Sequence, residues 1–537
     1  MERREFLQSA LTAGTAAGLA PMIAARPGPP SAGRWAQANA FELEEATVTS
    51  LQEGMTRGRW TSRGLVEQYL ARIDAVDKRG PAVNAVIELN PDALAIADRL
   101  DQERKAKGAR GPLHGIPVLV KDNLDSADAM STTAGSLALA GTHAPKDSTV
   151  VDRLRQAGAV LLGKTNLSEW ANYRSTNSTS GWSGRGGLTR HPYILTHNAC
   201  GSSSGSGAAA AANFAAVTIG TETDGSITCP ASICGLVGIK PTVGLVSRAG
   251  IVPISATQDT AGPMCRTVAD AAIVLAAIQG GDVRDRATRA IPTGKNHDYA
   301  AALLADGLKG ARLGVAHKGF GLPSNVQPVL TEAIAALKHL GALVIDPAEI
   351  PYVDKLGDPE GVVLDFEFKA GIAEYLATRG PGSPMKTLGD LIAFNAANRE
   401  REMPWFGQEI FERAERRGPL TDPGYRKALA TCRRLSRSLG IDALMTKHRL
   451  DAIVAITVGA SWPTDLVNGD RFTGGCTTPA AVAGYPHITV PAGQVHGLPI
   501  GLSFFGRAWS EVVLIRLGYA YEQGTKARKP PRFLPSV

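Results

Sequence analysis

The chain has 537 residues, 44% of them hydrophobic and 20% charged, and its net charge is +7. These proportions are those of an ordinary soluble globular protein, and the lack of any tandem period excludes a repeat architecture. The basic excess is dispersed or terminal, with no basic stripe interleaved with aromatic residues. We therefore expect no nucleic-acid partner.

The first 38 residues have the pattern of an export signal. Arg3 and Arg4 precede a weakly apolar run from Ser9 to Ala25, and residues 36–38 (AQA) supply a small-x-small cleavage site. The alternative is a lone amphipathic helix or an uncleaved anchor, although the run is too short and too glycine-rich for a membrane span. We predict a twin-arginine signal peptide over 1–38, a mature protein exported to the periplasm or beyond, and no stable membrane insertion.

After the signal, apolar runs alternate with amphipathic segments along the chain. Helices are predicted after Thr61, at Asp92–Lys107, Ser148–Ala157, Val268–Gln279 and Gln327–Leu340. Strands are predicted at Ile116–Val120, Ala159–Leu162, Ala215–Ile219, Arg312–Ala316, Ala342–Ile345, Ala452–Ile456, His487–Val490 and Ile500–Phe505. This alternation indicates an α/β fold with one large, mixed, mainly parallel sheet covered by helices on both faces.

We assign residues 39–537 to a single domain with two distinguishable parts. The catalytic core is expected at 110–270, where the serine-rich loops lie. Residues 280–447 are richer in charge and in helical patterning, and their charge runs are typical of solvated helix faces. This part is interpreted as an embellishment over the sheet that selects the substrate.

The six cysteines, at 200, 229, 234, 265, 432 and 476, form no metal-binding pattern. Neither CxxC nor HExxH occurs, so we expect no metal and no other cofactor. Export permits a disulfide, but its connectivity cannot be determined from the sequence. Cys200 and Cys229 flank the serine loops, and both are expected to be buried free thiols.

The stretch from Cys200 to Pro230 contains two glycine-serine loops. In the second loop, Gly225 permits a tight turn in which the backbone N–H groups of residues 223–226 (Thr223, Asp224, Gly225 and Ser226) converge on one point. Such a nest can hold an oxyanion while Ser226 acts as a nucleophile. The alternative is an ordinary strand-to-helix turn with Ser226 as a cap.

Lys121 lies at the end of the apolar run GIPVLVKDN. Burial there lowers the pKa of the amine, and a neutral lysine can accept a proton. The alternative is a buried structural ion pair. Ser202, in the first loop, can both accept and donate a proton, so it can connect Ser226 to Lys121.

These residues resemble the amidase-signature hydrolases, which use a Ser–Ser–Lys triad whose bridging serine follows a cis peptide. The serine-glycine loop is seen as GSSSG (201–205) and the nucleophile loop as GTETDGSI (220–227). Further family landmarks are TAGS (133–136), GKTN (163–166), GIKPT (238–242), DTAGP (259–263) and PIGL (499–502). The resemblance implies Ser226 as nucleophile, Ser202 as relay and Lys121 as general base.

Each of the two loops departs from the family pattern. Asp224 stands where the family often has glycine, and Cys200 and Ser204 also replace common glycines. Within the family, the segments KTNLSEWAN (164–172), FEFKAG (366–371), LIAFN (391–395) and GYPHITVPAG (484–493) look most like bacterial peptide amidases. That likeness implies release of ammonia from C-terminal peptide amides.

Several alternatives remain open on the sequence alone. A broad aryl or aliphatic amidase would use the same triad, and so would the A chain of a tRNA-dependent amidotransferase. The residues 201–205 also fit GxSxG, the nucleophile elbow of a serine esterase, with Ser203 as nucleophile. A glycine-rich phosphate-binding module is the non-enzymatic alternative. The expected partner is a small-molecule or peptide amide, and the chain is expected to be a monomer or homodimer.

Overall fold

The computed structural model describes residues 41–293, 299–380 and 383–537. The predicted signal peptide, 1–38, lies outside the described residues. None of the helices in the described ranges is both long and apolar enough to cross a bilayer.

Thirteen strands are present in the described residues. They are β1 (Val86–Leu89), β2 (Pro117–Lys121), β3 (Val160–Thr165), β4 (Trp182–Ser183), β5 (Gly187–Leu188), β6 (Val217–Glu222), β7 (Val237–Lys240), β8 (Thr260–Cys265), β9 (Arg312–Val315), β10 (Leu343–Ile345), β11 (Ala452–Ile456), β12 (His487–Val495) and β13 (Leu498–Phe505). Eleven of them form one sheet in the order β1-β3-β2-β6-β8-β7-β12-β13-β11-β9-β10, and β4 pairs with β5.

Sixteen α-helices accompany the strands in the described residues. They are α1 (Val48–Thr56), α2 (Ser62–Arg72), α3 (Ala93–Lys107), α4 (Thr149–Gln156), α5 (Ser204–Ala211), α6 (Thr228–Ile233), α7 (Val268–Ile278), α8 (Gln327–His339), α9 (Gly357–Thr378), α10 (Leu388–Ala397), α11 (Arg399–Glu402), α12 (Glu409–Glu415), α13 (Pro423–Arg433), α14 (Asp442–His448), α15 (Thr478–Ala483) and α16 (Glu511–Thr525).

The sheet is large and mixed, as predicted, but it is not mainly parallel. The blocks β3-β2-β6 and β11-β9-β10 are parallel, whereas the other six of the ten pairings are antiparallel. The expectation failed because apolar runs do not specify strand direction. The two parallel blocks therefore flank an antiparallel centre.

Both faces of the sheet are buried, as strand β11 illustrates. Ala452, Val454 and Ile456 belong to the largest apolar cluster, together with residues of α8 and α16. Ile453 and Ala455 belong to a different cluster, which includes residues of α14 and α15. Since successive side chains of a strand point to opposite faces, apolar layers cover the sheet on both sides.

The stretch 280–447 is divided between the sheet and a helical layer. Its first part contributes β9 and β10 to the main sheet. From Gly357 onward it is helical, with α9 to α13 and the start of α14. Helix α9 is hydrogen-bonded to the loop before β8, which in turn contacts Thr223 in the loop that carries Ser226.

Candidate active site

The site lies where the parallel neighbours β2 and β6 end. Val118, Leu119 and Val120 pair with Val217, Thr218 and Ile219, so both strands finish at the same edge of the sheet. Lys121 is the last residue of β2, and the Ser226 loop follows β6 directly. The carboxyl ends of parallel strands are a common position for ligand sites in open α/β sheets.

Lys121 is completely buried and contacts two hydroxyl groups. Its Nζ lies 2.7 Å from Ser202 Oγ and 2.9 Å from Thr221 Oγ1. Burial lowers the pKa of Lys121 to about 7, and the charges of Asp259 and Glu222 only partly oppose this effect. The amine is therefore suited to exchange a proton near neutral pH.

The loop of Ser202 is held tightly between neighbouring segments. The peptide bond between Gly201 and Ser202 is cis, as the family resemblance implies. A Cβ atom at Gly201 would lie 2.2 Å from Ser168 Oγ, so a larger residue does not fit there. The Ser202 carbonyl accepts a hydrogen bond from the N–H of Ser168, and the Ser202 hydroxyl faces Lys121.

The Ser226 loop is fixed by the carboxylate of Glu222. Its Oε2 accepts the N–H groups of Ile227 and Thr228, at 2.8 and 2.9 Å. Gly225 has a φ of +77°, a left-handed conformation that favours glycine. No hydrogen-bond acceptor for the N–H groups of residues 223–226 is found among the described residues. Their convergence on an external oxyanion stays a prediction.

The two serine loops are joined through the backbone. The N–H of Ser203 donates to the Ser226 carbonyl at 3.2 Å. Within the described part of the chain, the hydroxyls of Ser202 and Ser226 are not hydrogen-bonded to each other. The proton transfer between them therefore stays a prediction.

Ser203, the nucleophile of the esterase alternative, is occupied by the backbone. Its Oγ donates to the Thr221 carbonyl at 3.0 Å and accepts the Thr221 N–H at 3.2 Å. The side chain is fully buried. These contacts give Ser203 a structural role in joining its loop to the end of β6.

Asp224, which stands where the family often has glycine, is hydrogen-bonded to helix α15. Its Oδ2 accepts the hydroxyl of Thr478 at 2.7 Å. Burial raises the pKa of this carboxyl group, and hydrogen bonds from Thr477 and Thr478 oppose the increase. One carboxylate oxygen is thus anchored, whereas Oδ1 is buried with no hydrogen-bond partner among the described residues.

Cys200 and Cys229 form a disulfide, so the expectation of free thiols at these positions is wrong. The other four cysteines are free and buried. Export permits such a bond, but the pairing depends on the folded loops and could not be read from sequence spacing. The bond joins the residue before Gly201 to helix α6, which follows Ser226.

Three polar residues near the predicted triad, Thr221, Asn123 and Asp259, were not assigned a role from the sequence. Thr221 accepts a hydrogen bond from Lys121 and another from Asn123, whose Nδ2 lies 2.9 Å from Thr221 Oγ1. The hydroxyl of Thr223 donates to Asp259 at 2.6 Å. The one available signal was position, because Thr221 and Asn123 lie at the ends of adjacent predicted strands.

A cavity of about 240 Å³ adjoins the Ser226 loop. Its wall combines the ends of β2 and β6 with the loop before β8 and with helix α9. Its lining includes Asn123, Thr221, Thr223, Asp259, Gly371 and Tyr375. The described residues contain no group of three or more His, Cys, Asp or Glu side chains placed to hold a metal ion.

Over most of its length, the chain is similar to known amidases. The family model described as Amidase matches residues 64–515. The chain is 52% identical to the native peptide amidase from Stenotrophomonas maltophilia, with a TM-score of 0.88 over 92% of this chain and 99% of that one. It is 43% identical to a probable amidase of Arabidopsis thaliana, over 92% of this chain and 93% of the relative. It is also 35% identical to the A chain of a glutamyl-tRNA(Gln) amidotransferase from Chloroflexus aurantiacus, over 90% and 98%.

Proposed function

The chain belongs to the amidase family and is a hydrolase of amide C–N bonds, and we propose that its substrates are peptides carrying a C-terminal amide. Similarity to a peptide amidase over nearly the whole chain supports this substrate class. The cavity beside the Ser226 loop offers space for the peptide portion. The products are ammonia and the free peptide acid.

The proposed mechanism rests on the hydrogen bond between Lys121 and Ser202. Neutral Lys121 accepts the hydroxyl proton of Ser202, and Ser202 in turn accepts the hydroxyl proton of Ser226. The Ser226 oxygen attacks the amide carbonyl as it loses this proton. The N–H groups of residues 223–226 stabilise the oxyanion. The proton then returns to the departing nitrogen as the C–N bond breaks, and water hydrolyses the resulting ester of Ser226.

Variants of the triad test this mechanism. Lys121→Met, Ser202→Ala and Ser226→Ala are each expected to lower kcat by about 10³-fold or more, because the three groups act as one unit. The measurement is ammonia release from an N-acetylated dipeptide amide. Lys121→Met with near-normal kcat at pH 8 to 9 would contradict the assignment of the base.

The matched control is Ser203→Ala, which changes the neighbouring serine. It is expected to retain measurable turnover with reduced stability, because, within the described part of the chain, its hydroxyl is hydrogen-bonded only to the Thr221 backbone. An esterase-type nucleophile elbow predicts the reverse, with complete loss in Ser203→Ala and survival of Lys121→Met.

The substrate class is tested by a panel of amidated peptides, free-acid peptides, aryl amides and short aliphatic amides. We expect ammonia release from the amidated peptides and no cleavage of internal peptide bonds. Activity confined to aryl or aliphatic amides would replace the peptide-amide proposal with a broad amidase. The triad mechanism would stand in that case.

We also propose that the protein is exported through the twin-arginine route. The Arg3-Arg4 pattern supports this proposal, and so does the Cys200–Cys229 disulfide, since such bonds persist in oxidising compartments. Cell fractionation of the tagged full chain is expected to place the protein outside the cytoplasm. Replacing both arginines with lysine is expected to retain it inside, and unchanged export would contradict the proposal.

A further inference from the structure

Thr223, the first residue of the oxyanion-binding turn, is held by the loop that precedes β8. Its hydroxyl donates to Asp259 Oδ1 at 2.6 Å. Its carbonyl accepts a hydrogen bond from Gln258 Nε2 at 3.3 Å. The side chain and the backbone of Thr223 are therefore fixed by two consecutive residues of one loop.

Asp259 is itself fixed by its own loop. Its Oδ2 accepts the N–H groups of Ile254 and Ser255, both at 2.8 Å. One carboxylate oxygen thus closes the 254–259 turn, while the other holds Thr223. Because both oxygens have defined partners, a shift of this turn moves Thr223 with it.

The 254–259 turn is in turn held by helix α9. Glu367 Oε2 accepts the N–H and the hydroxyl of Thr257, both at 3.0 Å. Glu360 Oε1 accepts a hydrogen bond from Gln258 Nε2 at 2.8 Å. The same helix lines the cavity through Gly371 and Tyr375. A continuous set of hydrogen bonds therefore runs from the cavity wall to the oxyanion-binding turn.

We propose that Asp259 is a positioning residue for the reaction, acting through the hydroxyl of Thr223 to aim the N–H groups of residues 223–226. The inference rests on the proposed function, which assigns oxyanion stabilisation to these groups. Oxyanion donors act through preorganisation, so a small displacement lowers turnover while leaving substrate binding largely intact. A residue that binds the substrate directly would instead change KM when it is replaced.

The test compares Thr223→Val, which removes the hydroxyl at nearly constant shape, with Thr223→Ser, which keeps it. For an amidated dipeptide, Thr223→Val is expected to lower kcat about 10- to 100-fold with KM changed less than about threefold. The inhibition constant of a peptide aldehyde, which forms a tetrahedral oxyanion on the nucleophile, should rise in parallel. Thr223→Ser should recover most of the loss.

A double-variant cycle links the effect to Asp259. Asp259→Asn is expected to lower kcat as well, and the pair Thr223→Val with Asp259→Asn should lose no more than the worse single variant. Thr331→Val, on the exposed face of α8, is the control for a threonine change without effect. Urea unfolding of each variant establishes that it is folded at the assay temperature.

Three results would overturn the inference. They are a wild-type kcat in Thr223→Val, a loss confined to KM, or fully additive losses in the double variant. If the wild-type protein shows no Ser226-dependent ammonia release, the proposed function and this inference both fail. If the wild type is active, Ser226→Ala abolishes that activity and Thr223→Val keeps the wild-type kcat, the inference fails and the proposed function stands.

Discussion

Among single residues, Lys121 is the one whose protonation should control the pH dependence of turnover. Burial lowers its pKa to about 7 despite the acidic side chains of Asp259 and Glu222 nearby. Only the neutral amine accepts a proton. We therefore expect kcat/KM to rise about tenfold per pH unit below this value and to level off above it.

The measurement is a pH profile from 5 to 9 with an N-acetylated peptide amide, so that the substrate does not titrate. An ordinary lysine would instead place the rise near pH 10. A profile that is flat or falling between pH 6 and 8 would contradict the role of Lys121 as base.

Much of the site could be predicted from residues that lie near strand ends. Lys121 ends an apolar run, and Ser226 follows the next parallel strand, so their proximity could be expected. The role of Asp259 could not be predicted from the sequence, because its contact with Thr223 depends on β6 and β8 being antiparallel neighbours. Thr223 is hydrogen-bonded across that pairing to a residue 36 positions away, and the DTAGP motif (259–263), although it begins with Asp259, does not specify this contact.

Among the elements, eight of the eleven strands of the main sheet were predicted, and β1, β7 and β8 were missed. Strand β11 has the predicted bounds, whereas β8, with Gly262 and Pro263, was not predicted as a strand. Proline is normally confined to sheet edges, yet β8 pairs on both sides. Tertiary pairing overrides local propensity there.

At the same scale, the disulfide joins the start of the Ser202 loop to helix α6. Its closure spans 29 positions, and in the chain-entropy account such a bond stabilises a fold by about 3 to 4 kcal/mol. The variant Cys200→Ser with Cys229→Ser is expected to unfold at lower urea concentration and to turn over more slowly. Thiol titration of the denatured, unreduced wild type should find four thiols, and six after reduction.

The control is the same double variant treated with reductant. Because the bond is already absent, reductant should change neither its stability nor its kcat. Equal effects of reductant on the wild type and the double variant would show that other groups are responsible.

Across the whole molecule, a buried ion cluster attaches the helical layer to the core. Arg174 Nη1 lies 2.9 Å from Glu169 and 3.8 Å from Glu402 of α11, and all three side chains are fully buried. Glu402 Oε1 also accepts the N–H of Leu137 at 2.6 Å. Burial raises the pKa of Glu169 well above its ordinary value, and the neighbouring Glu402 adds to the increase.

This arrangement predicts unequal effects of substitution. Arg174→Met leaves two buried acidic groups without their cation and should lower the free energy of unfolding by about 3 to 5 kcal/mol. Glu169→Gln should cost much less, because the amide oxygen can still accept a hydrogen bond from Arg174 and Glu402 remains 3.8 Å from the guanidinium. Guanidinium unfolding of both variants provides the measurement, and equal losses would contradict the expectation.

The disulfide has one further consequence for how the triad is assembled. The segment 200–229 is a covalent ring that contains Ser202 and Ser226, whereas Lys121 lies outside it. The two hydroxyls are therefore kept near each other even when neighbouring packing loosens, while the amine is held by non-covalent contacts alone, through the pairing of β2 with β3 and β6 and the hydrogen bonds of Lys121. Heat should accordingly separate the base from the serines before it separates the serines from each other.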